Sequence, residues 1–198
     1  MFVTKLMLDV SCCHKRKLSD DYSIHRLVYS LFPLKEGFSR DFLYVDKGAK
    51  MGTRQVIVLS QEEPSLPDDI VSQTIVVGDN FFDYDRYRFE VLLNPVTKDS
   101  KTKKRVPVIG QYPLIRWFLE HQEKWGIEVD EKALEVFCRQ SRTILQKGQS
   151  CVFHTVLFRG ILKVSNRDVF RHSFEQGIGH GKAFGYGMLQ LAPISSID

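Results

Sequence analysis

Residues 177–187 hold five glycines in eleven positions (Gly177, Gly179, Gly181, Gly185 and Gly187), with Lys182 among them and an apolar, strand-like run directly after. Glycine tolerates positive φ and lets backbone amides come close to a neighbour, and amides beside a cation suit an anion such as phosphate. A phosphate-contacting loop and a plain glycine-rich turn are the two readings this leaves open. Spacing excludes two familiar phosphate loops. A Walker A loop needs Gly six residues before its Lys and Ser or Thr after it, where Lys182 has Gln176 and Ala183. Counting the dinucleotide fingerprint from Gly177 places Lys182 at its third glycine. Both loops also run from strand to helix, whereas here a helical pattern precedes the loop and a strand follows.

Apolar alternation and capping signals predict the elements ahead of this loop. Phe2, Leu6, Leu8 and Val10 share one face of an extended run with Lys5 and Asp9 opposite, which predicts a half-buried strand. Ser19 or Asp20 starts a helix that runs to about Phe32 and is ended by Pro33. Residues 41–46 and 55–60 read as strands around a turn containing Gly48 and Gly52. A short helix is expected from about Pro67, and Tyr87, Phe89, Val91 and Leu93 alternate as a strand. Strand, helix, strand, strand, weak helix, strand is the ferredoxin-like order. The polar stretch 94–104 breaks the periodicity, and the order then approximately repeats. A strand is expected at 105–109. A helix opened by Pro113 follows, with Ile115, Phe118, Leu119 and Gln122 on one face and Gly126 as its stop. Extended segments at 133–139 and 151–164 suit a long hairpin, Asn166 caps a last helix, and 187–192 is the closing strand. The expected fold class is α+β, two tandem ferredoxin-like (RRM-like) βαββαβ domains, at 1–95 and 96–198.

A hydrophobic content of 43% with 14 phenylalanines supplies a real core and argues against disorder. The formal charge of +4 permits a nucleic-acid partner without demanding one. No stretch approaches the length of a membrane span, and Lys5 and Asp9 interrupt the opening apolar run, so a cytoplasmic protein with no membrane partner is expected. Cys12 and Cys13 are adjacent, Cys138 and Cys151 lie apart, and no Cys-x-x-Cys pair or His/Glu cluster has metal-ligand spacing. Free thiols, no metal and no cofactor are the expectation.

The C-terminal run 177–193 resembles the signature of the CasE family, the CRISPR precursor-RNA endoribonucleases of type I-E systems, departing from it only in Met188 for a leucine. The run 1–8, the group Tyr22, His25 and Arg26, the residues 31–33, and the run from Arg40 to Leu43 agree with the same family. Residues 87–95 are similar to its arginine- and leucine-rich strand ending in Asn-Pro, although Leu92 and Leu93 stand where basic and small residues are common. The resemblance implies tandem ferredoxin-like domains and a protein that binds the stem-loop of a CRISPR repeat. It further implies cutting at the 3′ base of that stem, retention of the mature crRNA, and assembly with the other subunits of Cascade. It carries the family's catalytic histidine onto His25 and its neighbouring active-site tyrosine onto Tyr22.

The residues themselves suit that chemistry. At about 100° per residue, Tyr22, His25 and Tyr29 project within roughly 60° of one another on the helix, with Arg26 beside them. Metal-free RNA cleavage requires a proton to leave the attacking 2′-hydroxyl, another to reach the 5′-oxygen, and charge on the phosphoryl oxygens to be stabilised. Histidine suits proton transfer near neutral pH, tyrosine can donate, and arginine can hold phosphate. His25 with Tyr22 is therefore the candidate catalytic pair. Without the motif, His25 would read as an ordinary surface histidine, and Tyr29 reads better as packing against the sheet.

Two basic clusters, Lys15, Arg16 and Lys17, and Lys98, Lys101, Lys103, Lys104 and Arg105, are candidate phosphate contacts, with Arg26 and the loop residues Gly179, Gly181 and Lys182. Solvated loops are the alternative for both. No RNP1 motif is present, so base stacking on an aromatic sheet face is unsupported, and a structured stem-loop held by its backbone and grooves fits better. Three readings stay open: a metal-independent endoribonuclease, a non-catalytic RNA-binding subunit, and a protein-interaction module in which the glycine loop packs against a partner.

Overall fold

The computed structural model describes residues 1–32, 41–138, 141–146 and 149–195. The expected helix stop Pro33, the motif residue Arg40 and the expected strand end Arg139 lie outside them. The chain divides into two compact units, Met1–Gly78 with Lys182–Gly185, and Asp79–Gly181 with Tyr186–Asp198.

In the first unit, β1 (Phe2–Asp9) ends where the Asp9 carboxylate accepts from the backbone N–H of Cys12 at 2.7 Å and caps the short helix α1 (Val10–Lys15). Val10 is thus helical and 69% exposed, not the last inward residue of the strand. A side-chain cap on an orphan helix N–H overrides the two-residue repeat there. Asp20 caps α2 (Asp21–Ser30) by accepting from Ser23 N–H at 2.7 Å, while the Ser23 hydroxyl accepts from Asp20 N–H. Ile24, Leu27 and Val28 of α2 bury against Leu6 and Leu8 of β1, and this core continues into β2 (Phe42–Lys50) and β3 (Thr53–Ser60) through Tyr44, Val56 and Val58. The helix expected from Pro67 is replaced by a turn, Ile70 N–H to Pro67 O at 3.0 Å, followed by β4 (Val71–Val76). Val71, Thr74, Ile75 and Val76 are β-branched, and β4 pairs with β1 from Met7–Val71 to Phe2–Val76. The antiparallel sheet has the order β2-β3-β1-β4.

The second unit opens with β5 (Arg86–Leu93), which corrects the expected boundary after residue 95. This strand pairs with partners 63 and more residues later, Glu90 facing both Arg159 and Gln190, and so belongs to the second sheet. The hairpin of β6 (Val96–Lys98) and β7 (Arg105–Pro107) comes next, then α3 (Gln111–His121), β8 (Ile127–Val129) and β9 (Glu135–Cys138). The hairpin of β10 (Arg142–Gln146) and β11 (Gln149–Phe153) precedes β12 (Val156–Val164), α4 (Arg167–Gln176) and β13 (Gln190–Pro193). The sheet order is β13-β5-β12-β8, with β9 also on β12. Each sheet therefore has the fourth strand beside the first, then the third, then the second, the ferredoxin-like arrangement. In the first unit the place of the second helix is taken by the non-helical stretch 61–70.

Helix α3 buries Leu114, Trp117 and Phe118 rather than the face through Ile115 and Leu119, and these rings join Phe89, Phe158 and Trp125. Tyr87 is wholly buried against Phe81 and Phe170, its hydroxyl donates to the Phe81 carbonyl, and burial pushes its phenol up to about 12. Asn166 caps α4 as expected, accepting from Val169 N–H at 3.1 Å. No helix among the described residues is long and apolar enough to cross a membrane.

Candidate active site

Helix α2 carries Tyr22, His25 and Tyr29 on one side, because residues three and four apart stack along a helix face. The His25 ring lies 5.7 Å from Tyr22, nearly parallel at 16°, and 4.1 Å from Tyr29. Tyr29 meets Phe42 of β2 edge-on at 4.9 Å and is part of the core margin, the packing role its pattern suggested. Tyr22 is 37% exposed and Arg26 is exposed, while His25 is half-buried.

The second side of the imidazole is built by residues 182–185. His25 Nδ1 donates to the carbonyl oxygen of Ala183 at 2.8 Å, and the Phe184 ring lies 5.3 Å away. A carbonyl can only accept, so Nδ1 carries the hydrogen and the neutral ring has its basic lone pair on Nε2. Tyr44 on β2, 2% exposed, donates its hydroxyl to the same carbonyl at 3.3 Å. Neither Ala183 nor Tyr44 was among the site residues predicted from the sequence. The available signal was a tyrosine in a buried strand, whose hydroxyl requires a partner.

The glycine loop turns mainly on internal packing. A Cβ on Gly187, at φ +82°, would sit 2.1 Å from the Ile178 carbonyl oxygen, and Ile178 N–H donates to Gly187 O at 2.8 Å. Gly179 lies against Leu93, and Gly181 against the rings of Phe153 and Tyr186. The Tyr186 hydroxyl is hydrogen-bonded to Thr155 at 2.8 Å. Lys182 is half-buried in the short turn 182–184.

The two basic clusters differ. Lys15 and Arg16 both bind Asp69, Lys15 Nζ at 3.1 Å and Arg16 through Nε at 3.2 Å and Nη2. These two cations hold the Asp69 carboxyl down at about 2, chiefly through the Arg16 hydrogen bonds. Lys17 sits at φ +53° just past α1. In the second unit, Lys98 and Arg105 face one another across the β6–β7 hairpin, with Lys101, Lys103 and Lys104 in its turn. All five are exposed, and among the described residues none is paired with a carboxylate. Asp99 turns its Oδ1 to the turn, accepting there from Lys101 N–H, Thr102 N–H and the Thr102 hydroxyl. The stretch expected as a polar break is therefore a cationic hairpin with an acid-braced tip.

A family model described as CRISPR associated protein matches residues 1–193. The CRISPR system Cascade subunit CasE of Escherichia coli (strain K12) is 27% identical over 194 residues, which cover 88% of this chain and 93% of that protein. The CRISPR-associated endoribonuclease Cse3 of Thermus thermophilus is 26% identical over 213 residues, covering 98% of this chain and 100% of Cse3. A solved structure of the CRISPR endoribonuclease Cse3 bound to 19 nt RNA superposes with a TM-score of 0.80 at 25% identity, over 98% of this chain and 100% of that one.

Proposed function

Because this chain belongs to the CRISPR associated protein family, we propose that it is a metal-independent endoribonuclease that binds the repeat stem-loop of precursor crRNA and cleaves at the 3′ base of the stem. The names of the similar proteins, a Cascade subunit and an endoribonuclease, support this class of activity and a place among the Cascade subunits. The RNA held in the Cse3 structure supports an RNA substrate.

The observation that carries the reading is the imidazole of His25, bonded through Nδ1–H to Ala183 and stacked beside Tyr22. In that tautomer the ring exchanges protons through Nε2. In the proposed reaction the 2′-hydroxyl upstream of the scissile phosphate loses its proton as its oxygen attacks phosphorus. The bond to the 5′-oxygen breaks, that oxygen gains a proton, and the upstream fragment ends in a 2′,3′-cyclic phosphate. His25 moves one of these protons with Tyr22 assisting, and Arg26 offsets charge on the phosphoryl oxygens. The exposed cations of the β6–β7 hairpin supply phosphate contacts along the stem.

Incubating the purified protein with its cognate repeat RNA in EDTA tests this directly. A 5′-hydroxyl fragment and a cyclic phosphate end are expected, and a 2′-deoxy substitution upstream of the cut should stop cleavage while sparing binding. His25→Ala should slow cutting by about 10²-fold or more with affinity retained. Tight hairpin binding without any cutting by the unaltered protein would identify a non-catalytic subunit instead, and cutting of the deoxy substrate would exclude the 2′-hydroxyl route.

A further inference from the structure

We propose that the 182–185 segment of the glycine-rich loop is a tautomer clamp for His25, with Ala183 as its jaw and Tyr44 and Gly185 as the supports that hold the jaw in place. The inference rests on the proposed role of His25 and adds positioning residues to it. The Ala183 carbonyl receives two donors, His25 Nδ1–H at 2.8 Å and the Tyr44 hydroxyl at 3.3 Å. The Tyr44 donor is anchored in a strand and buried, so it fixes the direction of the carbonyl from a rigid element. Gly185, at φ +84°, lets the Tyr44 ring pass close by, since a Cβ there would lie 3.0 Å from Tyr44 Cε2. Phe184 closes on the imidazole from the same segment at 5.3 Å.

A neutral imidazole can carry its proton on either nitrogen, and the choice is set by the hydrogen bond that one of them makes. Here a main-chain acceptor makes that choice, so Nε2 keeps the lone pair. Ala183, Phe184 and Gly185 thus serve His25 through a main-chain acceptor and a packed ring. A phosphate-binding loop would lose RNA affinity when its backbone shifts, whereas a clamp loses rate.

The test reads the His25 ring by long-range ¹H–¹⁵N correlation in the full chain with no RNA present, so its outcome does not depend on whether the protein cuts RNA. The Nδ1–H tautomer is expected in the unaltered protein, and an Nε2–H ring there would overturn the proposal. Gly185→Ala should bring in the Nε2–H form and lower cleavage about 10²-fold, with RNA affinity within about twofold of the parent. Tyr44→Phe keeps the ring and removes the donor, so it tests the clamp even if Gly185→Ala does not fold. A partial shift of the tautomer and about a fivefold loss of rate are expected. An unchanged ring spectrum in Tyr44→Phe, or a loss of affinity matching the loss of rate in Gly185→Ala, would sink the idea.

Discussion

Asp69 grips Arg16 through two of its guanidinium nitrogens and takes Lys15 on the same carboxylate. Its carboxyl sits at about 2, below the ordinary carboxylate value, so the ion pair is intact above that ordinary value and opens only as pH falls through about 2. At any pH where RNA would be bound, then, two of the three cations at 15–17 already have a counter-charge. Asp69→Asn is expected to tighten RNA binding and steepen its salt dependence by freeing Lys15 and Arg16, while Lys15→Ala in the parent changes the salt slope little. Affinity titrations at several salt concentrations check both; a steep loss in Lys15→Ala would mean that the lysine contacts phosphate despite Asp69.

The β6–β7 hairpin should behave in the opposite way. Lys101, Lys103 and Lys104 are exposed and without carboxylate partners among the described residues. Removing one cation that neutralises a phosphate reduces the slope of log affinity against log salt by about 0.7 to 0.9. Replacing all three by alanine should lower the slope by about 2 and weaken binding without changing the rate of cutting at saturating protein. Single-turnover cleavage and salt titrations separate the two effects.

Local signals account for what the sequence reveals of this fold. Helix α2 is legible because its cap, Asp20 with Ser23, and its stripe, Ile24, Leu27 and Val28, all lie within nine residues. Strand β4 is not, because Pro67 looks like a helix start and only pairing with β1 selects the extended form. The boundary fails for a related reason. Tyr87 to Leu93 alternates in the same way whichever sheet receives it, and its register with β12 is a long-range fact. At the site, Tyr22 and His25 are visible as a helical pair. Ala183 is not, since a main-chain carbonyl has no residue signature and this one reaches His25 across 158 positions.

Arg54 holds the start of the His25 helix to the sheet. On β3, it donates to Asp46 of β2 through Nε at 3.1 Å and Nη2 at 2.5 Å, and Nη2 lies 3.8 Å from Asp21, the first residue of α2. The Asp46 side chain is 7% exposed, so Arg54→Met would leave a buried carboxylate with the Gly48 N–H but no cation. That change should cost about 3 kcal/mol in urea unfolding. Adding Asp46→Leu should recover much of the loss, because the unpaired charge goes with it. If the double variant is as unstable as the single one, the cost lies in packing and not in the stranded carboxylate.

Gly187 closes the glycine loop onto itself, and its replacement should be the most damaging conservative change in that segment. A methyl group there would meet the Ile178 carbonyl oxygen at 2.1 Å, and the obstacle is backbone held by Ile178 N–H donating back to Gly187 O. No side-chain rotation relieves such a clash. The φ of +82° alone costs a non-glycine residue about 1 kcal/mol or more, so Gly187→Ala should destabilise the protein by about 3 kcal/mol in all. Thermal unfolding followed by circular dichroism measures this. The loop also binds Gly187 N–H to Leu92 O at 2.8 Å on β5, so the damage should appear as global loss of stability in the second unit, with reduced melting temperature whether or not RNA is added. A variant that melts like the parent yet no longer binds RNA would show that this glycine serves the ligand and not the fold.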